Sequence, residues 1–124
     1  LQGSDPEAKS IVIDSHMDTV MQGGVYDGML DVTGAKYSTP CDPRWIKLID
    51  DVCTEKGISH IIMPSGAGHD ANAMAHEGVP IGMIFVPSAK GISHQGDEYT
   101  KPEHIDLRAD VLYQTVLKLD ENGF

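Results

Sequence analysis

The residues best suited to chemistry stand in Ser15-His16-Met17-Asp18-Thr19-Val20 and its continuation Gly23-Gly24-Val25-Tyr26-Asp27-Gly28, directly after the apolar run Ile11-Val12-Ile13. Imidazoles and carboxylates in a glycine-rich loop suit a divalent cation. Residues two apart in an extended segment face the same way, so Asp18 can accept a hydrogen bond from the free ring nitrogen of His16 and strengthen it as a ligand. Asp27 could bind one cation or bridge two. His94, in Gly91-Ile92-Ser93-His94, offers a second imidazole. Together His16, Asp27 and His94 make a mixed nitrogen and oxygen set of three, the number that leaves a coordination position open.

The other candidates divide between chemical and structural readings. A histidine taken singly is more often solvated or packed than a ligand. His60 lies in an apolar run and reads as packed or edge-exposed, and His76 and His104 read as surface residues of helices. His69 follows Gly66-Ala67-Gly68 and belongs either to the active site or to the start of a helix that Asp70 would cap. The pair Asp97-Glu98 could support a ligand from behind or be merely solvated, and the solvated reading is favoured. Cys53 belongs to a helix's buried face and Cys41 to a loop, so neither is a nucleophile candidate.

These loops must be positioned by an alternation of strands and helices. Residues 10–14, 58–63 and 80–86 are short apolar runs of strand type. Asp42-Pro43 announces a helix, with an N-cap and then proline at the first helical position; Trp45, Leu48, Ile49, Val52 and Cys53 follow at helical spacing, and Gly57 closes it. A short helix runs from Asp70 to Gly78. The capping-box pattern Thr100-Lys101-Pro102-Glu103 opens a last helix with Leu107, Val111, Thr115 and Leu119 on one side. This order predicts an α/β fold with a mostly parallel or mixed sheet and helices on both faces. Parallel strands would bring the loops holding His16, His69 and His94 to one carboxyl edge, where open α/β folds bind ligands.

Composition narrows the function. With 19 acidic against 9 basic residues the net charge is -10, which disfavours nucleic acid and anionic membranes and suits cations. No apolar run approaches the roughly 18 residues needed to cross a bilayer, and two unpaired-looking cysteines suit a cytoplasmic location. Residues 1–7 read as a tag remnant and flexible start, and 8–124 as a single domain. Two rival motifs are weaker. Gly66-Ala67-Gly68-His69-Asp70-Ala71 fits a dinucleotide fingerprint, but no acidic residue follows where a ribose would be held. Ser65 and Ser93 lack the G-x-S-x-G elbow of serine hydrolases.

Four stretches in order, Ser15 to Val20, Gly23 to Gly28, Pro64-Ser65-Gly66-Ala67-Gly68-His69-Asp70-Ala71, and Phe85-Val86-Pro87-Ser88 with Gly91 to His94, resemble the allantoate amidohydrolase and N-carbamoyl-L-amino-acid hydrolase group. That group belongs to the clan of two-metal exopeptidases and aminoacylases. The resemblance implies a metallo-exopeptidase-like catalytic domain that cleaves carbon–nitrogen bonds of linear ureido or carbamoyl compounds with zinc or manganese. It makes His16 and Asp27 ligands of one ion, Asp27 a bridge to a second, His94 a ligand of that second ion, Asp18 the member of the catalytic set that orients His16, and His69 a residue lining the substrate side.

Residues 28–38, which join the matching blocks, contain neither glutamate nor histidine. The group carries a glutamate pair, another histidine and a dimerisation domain at that point, so the chain reads as a truncated catalytic domain with a deletion junction within 28–38. One metal site is then expected here against two in the group, with weak or no turnover and self-association through an exposed sheet edge. The alternative is a non-catalytic fragment that keeps the fold and binds a metal, ligand or partner.

Overall fold

The computed structural model describes residues 11, 13, 39–65 and 67–122. Three helices order this part of the chain. Helix α1 spans Pro43–Glu55, α2 spans Asp70–His76 and α3 spans Pro102–Asn122, with a single 3₁₀ turn at Ala89–Gly91 before α3.

The start of α1 follows from two adjacent residues. Asp42 is extended (φ -63°, ψ 125°), and its carboxylate accepts the Arg44 backbone N–H at 2.9 Å, while Pro43 takes the position where a missing N–H costs nothing. The Arg44 guanidinium folds back on the same carboxylate, with Nε 3.0 Å from Oδ1 and Nη2 2.7 Å from Oδ2. These bonds hold the Asp42 carboxyl at about 2. At the other end Gly57 adopts φ +67°. Its N–H donates to Thr54 O at 3.0 Å and that of Ile58 to Cys53 O at 2.9 Å, a closed helix stop that satisfies two terminal carbonyls.

Helix α2 ends in the same way. Gly78 has φ +80°, and the N–H groups of Gly78 and Val79 donate to Ala75 O and Met74 O at 3.0 and 3.1 Å. Its start lies one residue earlier than Asp70-capping implies. His69 occupies the cap position without a capping side-chain bond, and Asp70 sits in the first turn, where a negative charge favours the helix dipole. Helix α3 also departs from expectation, since it begins at Pro102 rather than after a Thr100 cap. The His104 and Ile105 N–H groups donate to Lys101 O at 2.9 and 3.3 Å, so proline at the first position outcompetes the capping box.

Val52, Cys53 and Val111 form the buried centre, with Ile49, Ile58 and Ile84 packed against it. Helix α1 thus meets α3, and the extended segment 81–84 lies with them. Thr115 is buried as well and returns its hydroxyl to Val111 O at 2.8 Å. Leu107 departs from the expected inner face of α3 and stays 40% exposed; one residue on, Arg108 donates through Nε to Ile84 O at 3.2 Å. Two ion pairs fasten the helices at their rims, Lys56 to Asp110 at 2.8 Å and Lys118 to Glu55 at 2.5 Å. The Asp42 N–H donates to Ile81 O at 2.9 Å, which ties the start of α1 to the same extended segment.

Gly82 is where that segment passes closest to α1. A Cβ placed on it would stand 3.1 Å from the Trp45 Cβ and 3.4 Å from the Ile49 Cδ1. Only a residue without a side chain fits there undisturbed.

The expected sheet is not formed among the described residues. Segments 58–63 and 80–86 run without helix, as apolar strands would, but no ladder pairs them with each other. A strand is completed only by a neighbour about 4.8 Å away, and the third expected strand, 10–14, is described only at Ile11 and Ile13. Consequently Ile61, Ile62 and Met63 stand 79%, 67% and 54% exposed. Among the described residues no helix is long and apolar enough to cross a membrane.

Candidate functional site

His16, Asp18 and Asp27, and the junction expected within 28–38, lie outside the described residues. His69 and His94 lie within them, each in a turn that follows one of the extended segments.

The turn before α2 is built by Ser65. Its Oγ accepts the Ala67 N–H at 3.1 Å and stands 2.6 Å from His69 Nε2. On another side the His69 ring meets Phe85, with centroids 5.6 Å apart and planes tilted by 55°. His69 is therefore fixed by a hydroxyl from its own loop and an aromatic ring from the end of the other segment. That contact sets the His69 turn against the end of segment 80–86.

His94 stands in a tighter loop. The Ala89 N–H donates to Tyr99 O at 2.8 Å and closes the base; the Ser88 hydroxyl donates to Ile92 O; Lys90 and His94 both adopt left-handed backbone, φ 59° and 58°. Left-handed conformation costs a residue with a Cβ roughly 1–2 kcal/mol, and such outliers cluster where function holds them. The Glu98 carboxylate holds this one, accepting the His94 backbone N–H at 2.7 Å. Glu98 is thus a clamp on the His94 backbone rather than a merely solvated acid. Its signal in the sequence was a carboxylate four residues past a histidine in a short loop. Ser65 carries a similar signal, a hydroxyl four residues before His69.

The remaining titratable groups fall mostly into structural roles. His60 bridges the first extended segment to α1, with Nδ1 2.7 Å from its neighbour Ile58 O and Nε2 2.7 Å from Asp50 Oδ1. The carbonyl and then the carboxylate favour the charged imidazole and raise its pKa. His76 is exposed, as expected. His104 is not a surface residue: it is half-buried, and its Nδ1 is enclosed without a hydrogen-bond partner among the described residues. Both cysteines are free; burial pushes the Cys41 thiol up against a lowering bond from the Met83 backbone, and burial with the Asp50 charge pushes up Cys53. Neither has the lowered pKa of a reactive thiol.

Among the described residues no group of three or more His, Cys, Asp or Glu side chains is placed to hold a metal ion. Of the expected ligands these residues include His94 alone. His94 fits a nitrogen donor in chemical type, and a complete donor set depends on His16 and Asp27.

Comparison with known proteins supplies the wider frame. Residues 29–118 match the family described as Peptidase family M20/M25/M40, a span that contains His69 and His94 and begins just past Asp27. The chain is 43% identical over 78 residues to a ureidoglycolate hydrolase of Arabidopsis thaliana, covering 63% of this chain and 16% of that protein. It is 43% identical over 67 residues to an N-carbamoyl-L-amino acid amidohydrolase of Geobacillus stearothermophilus, covering 54% and 16%. With an allantoate amidohydrolase of Escherichia coli (strain K12) it shares 37% identity over 89 residues, covering 68% and 21%. The matched part is thus a fifth or less of most of these relatives. No solved structure matches the chain. Membership in this family implies an α/β metallo-exopeptidase fold and a hydrolase by type. Matched over most of its length, the chain belongs to peptidase family M20/M25/M40.

Proposed function

We propose that this chain carries part of the active site of a metal-dependent hydrolase of carbon–nitrogen bonds in linear ureido or carbamoyl amides. The observation that carries the reading is the family match over 29–118, joined to relatives named for ureidoglycolate, allantoate and N-carbamoyl-L-amino acids. His16, Asp27 and His94 would hold a zinc or manganese ion, with Asp18 orienting His16, and His69 would face the substrate. A divalent ion, when bound, polarises a scissile carbonyl as a Lewis acid. The left-handed His94 backbone, held by Glu98, supports its assignment as a ligand. Segments 10–14, 58–63 and 80–86 are proposed as the strands of the family's sheet, in a single domain 8–124 located in the cytoplasm. Two free thiols are consistent with that compartment.

A second reading has its own observation. Residues 28–38 hold neither glutamate nor histidine, so the chain lacks at that point the general base the group uses, and a base contributes about 10²- to 10⁴-fold in rate. In this reading the chain is a non-catalytic fragment that retains metal or ligand binding.

One experiment separates the two. Ammonia release from allantoate, ureidoglycolate and N-carbamoyl-L-amino acids is measured with added manganese or zinc, beside zinc titration of the chain, His16→Ala and His94→Ala. Release above a metal-only control supports the hydrolase. No release, with zinc affinity lost in both variants, supports the fragment. Unchanged zinc affinity and stoichiometry in both variants sinks the site.

A further inference from the structure

We infer that Ser65 is a positioning residue for His69: it holds the imidazole in the Nδ1–H tautomer, so that His69 meets its ligand as a hydrogen-bond donor. The first support is the inventory of donors and acceptors. Ser65 Oγ accepts the Ala67 N–H at 3.1 Å and lies 2.6 Å from His69 Nε2; no other acceptor for its single proton occurs among the described residues, so the hydroxyl uses both its donor and an acceptor position only if it donates to that nitrogen. The second is the distance. Hydroxyl donors form bonds of about 2.5–3.0 Å and N–H donors of about 2.7–3.2 Å, and 2.6 Å falls only in the former span. Accepting the amide proton also polarises the hydroxyl and makes it the better donor.

An imidazole that accepts at Nε2 while neutral carries its proton on Nδ1, because the bond made by one ring nitrogen sets the state of the other. Among the described residues no group accepts from Nδ1, and this N–H is the donor inferred to meet the ligand. Phe85 against the ring restrains its tilt and completes the fixing of the donor's direction. The ligand atom chosen is an acceptor, a carboxylate or ureido carbonyl oxygen, and an amine is disfavoured. This last step rests on the proposed substrate-side role of His69; the tautomer does not.

The test is long-range ¹H–¹⁵N correlation of the histidine side chains at mildly alkaline pH. In the unaltered chain His69 should show its proton on Nδ1. Ser65→Ala should return it to Nε2, the site preferred by the free side chain, and Ser65→Thr, which keeps the hydroxyl, should preserve Nδ1. Allantoate serves as probe: Ser65→Ala should weaken its binding about fivefold, the loss of one ordinary hydrogen bond, and Ser65→Thr should restore it. A proton on Nε2 in the unaltered chain overturns the inference, even if Ser65→Ala fails to fold. An unmoved tautomer in a folded Ser65→Ala also overturns it. An Nδ1 proton that moves as stated, with no allantoate bound by the unaltered chain, upholds the role of Ser65 and refutes allantoate as the ligand.

Discussion

Replacing Gly82 with alanine tests the packing that carries the site. The added Cβ would stand 3.1 Å from the Trp45 Cβ and 3.4 Å from both the Trp45 Cε3 and the Ile49 Cδ1. The nearest of these atoms is bonded directly to the α1 backbone, so no rotamer change relieves the contact and either helix or segment must shift. Overpacking of this kind costs about 1–3 kcal/mol. Against it stands the reduced entropy of the unfolded alanine chain, worth about 0.4–1 kcal/mol where the backbone is compatible, and Gly82 is not among the glycines at positive φ. The net expectation is roughly 0.5–2 kcal/mol of destabilisation, read as a fall of ~2–8 °C in melting temperature. Urea titration followed by circular dichroism gives the free energy directly. Adding Ile49→Val should recover little, because the tightest contact is with Trp45. The shift should reach the site as well: Gly82 lies on the segment that ends in Phe85, so the His69 side-chain resonances should move. A Gly82→Ala chain at least as stable as the original, with His69 unperturbed, refutes the close approach.

Three further outcomes follow from the same contacts. The raised pKa of His60, owed first to the Ile58 carbonyl and then to Asp50, means that these bonds to the charged ring contribute fully below the ordinary histidine value of 6.5 and are lost as pH rises through the raised value; Asp50→Asn should reduce the slope of the stability profile across that range in pH-dependent melting without abolishing it. The depressed Asp42 carboxyl acts in the opposite sense, contributing fully above its ordinary 3.8 and losing its effect as pH falls through about 2; Asp42→Ala should lower the melting temperature at neutral pH and remove that part of the acid sensitivity. The exposed Ile61, Ile62 and Met63 should drive pairing of this segment between copies of the chain, so Ile62→Lys should reduce the mass seen by light scattering at high concentration, and a monomer before mutation would count against self-association.

What could be read in advance was local. Helix α1 is written in Asp42-Pro43 and Gly57 because cap, proline and left-handed glycine act within a few residues of where they stand. The starts of α2 and α3 shifted because competing local signals overlap: Asp70 is as well placed in a first turn as at a cap, and Pro102 preempts Thr100. The strands were recognisable as apolar runs, yet pairing depends on distant partners that local composition does not specify. The site divides along the same line. His69 and His94 stood out by residue type and glycine context, whereas the bonds from Ser65 and Glu98 depend on how each turn closes. The enclosure of His104 depends on tertiary packing that helical periodicity near a terminus does not fix.

The two helix stops at Gly57 and Gly78 also set a phase. Each fixes the point at which a helical period of 3.6 gives way to an extended period of two, and side chains downstream inherit their side from that point. After Gly78 the alternation sends Ile84 to the buried centre and Phe85 to His69. A single residue inserted between Gly78 and Ile84 would exchange those destinations without altering either side chain. Length between stop and site therefore constrains this stretch alongside the identity of Gly82 within it.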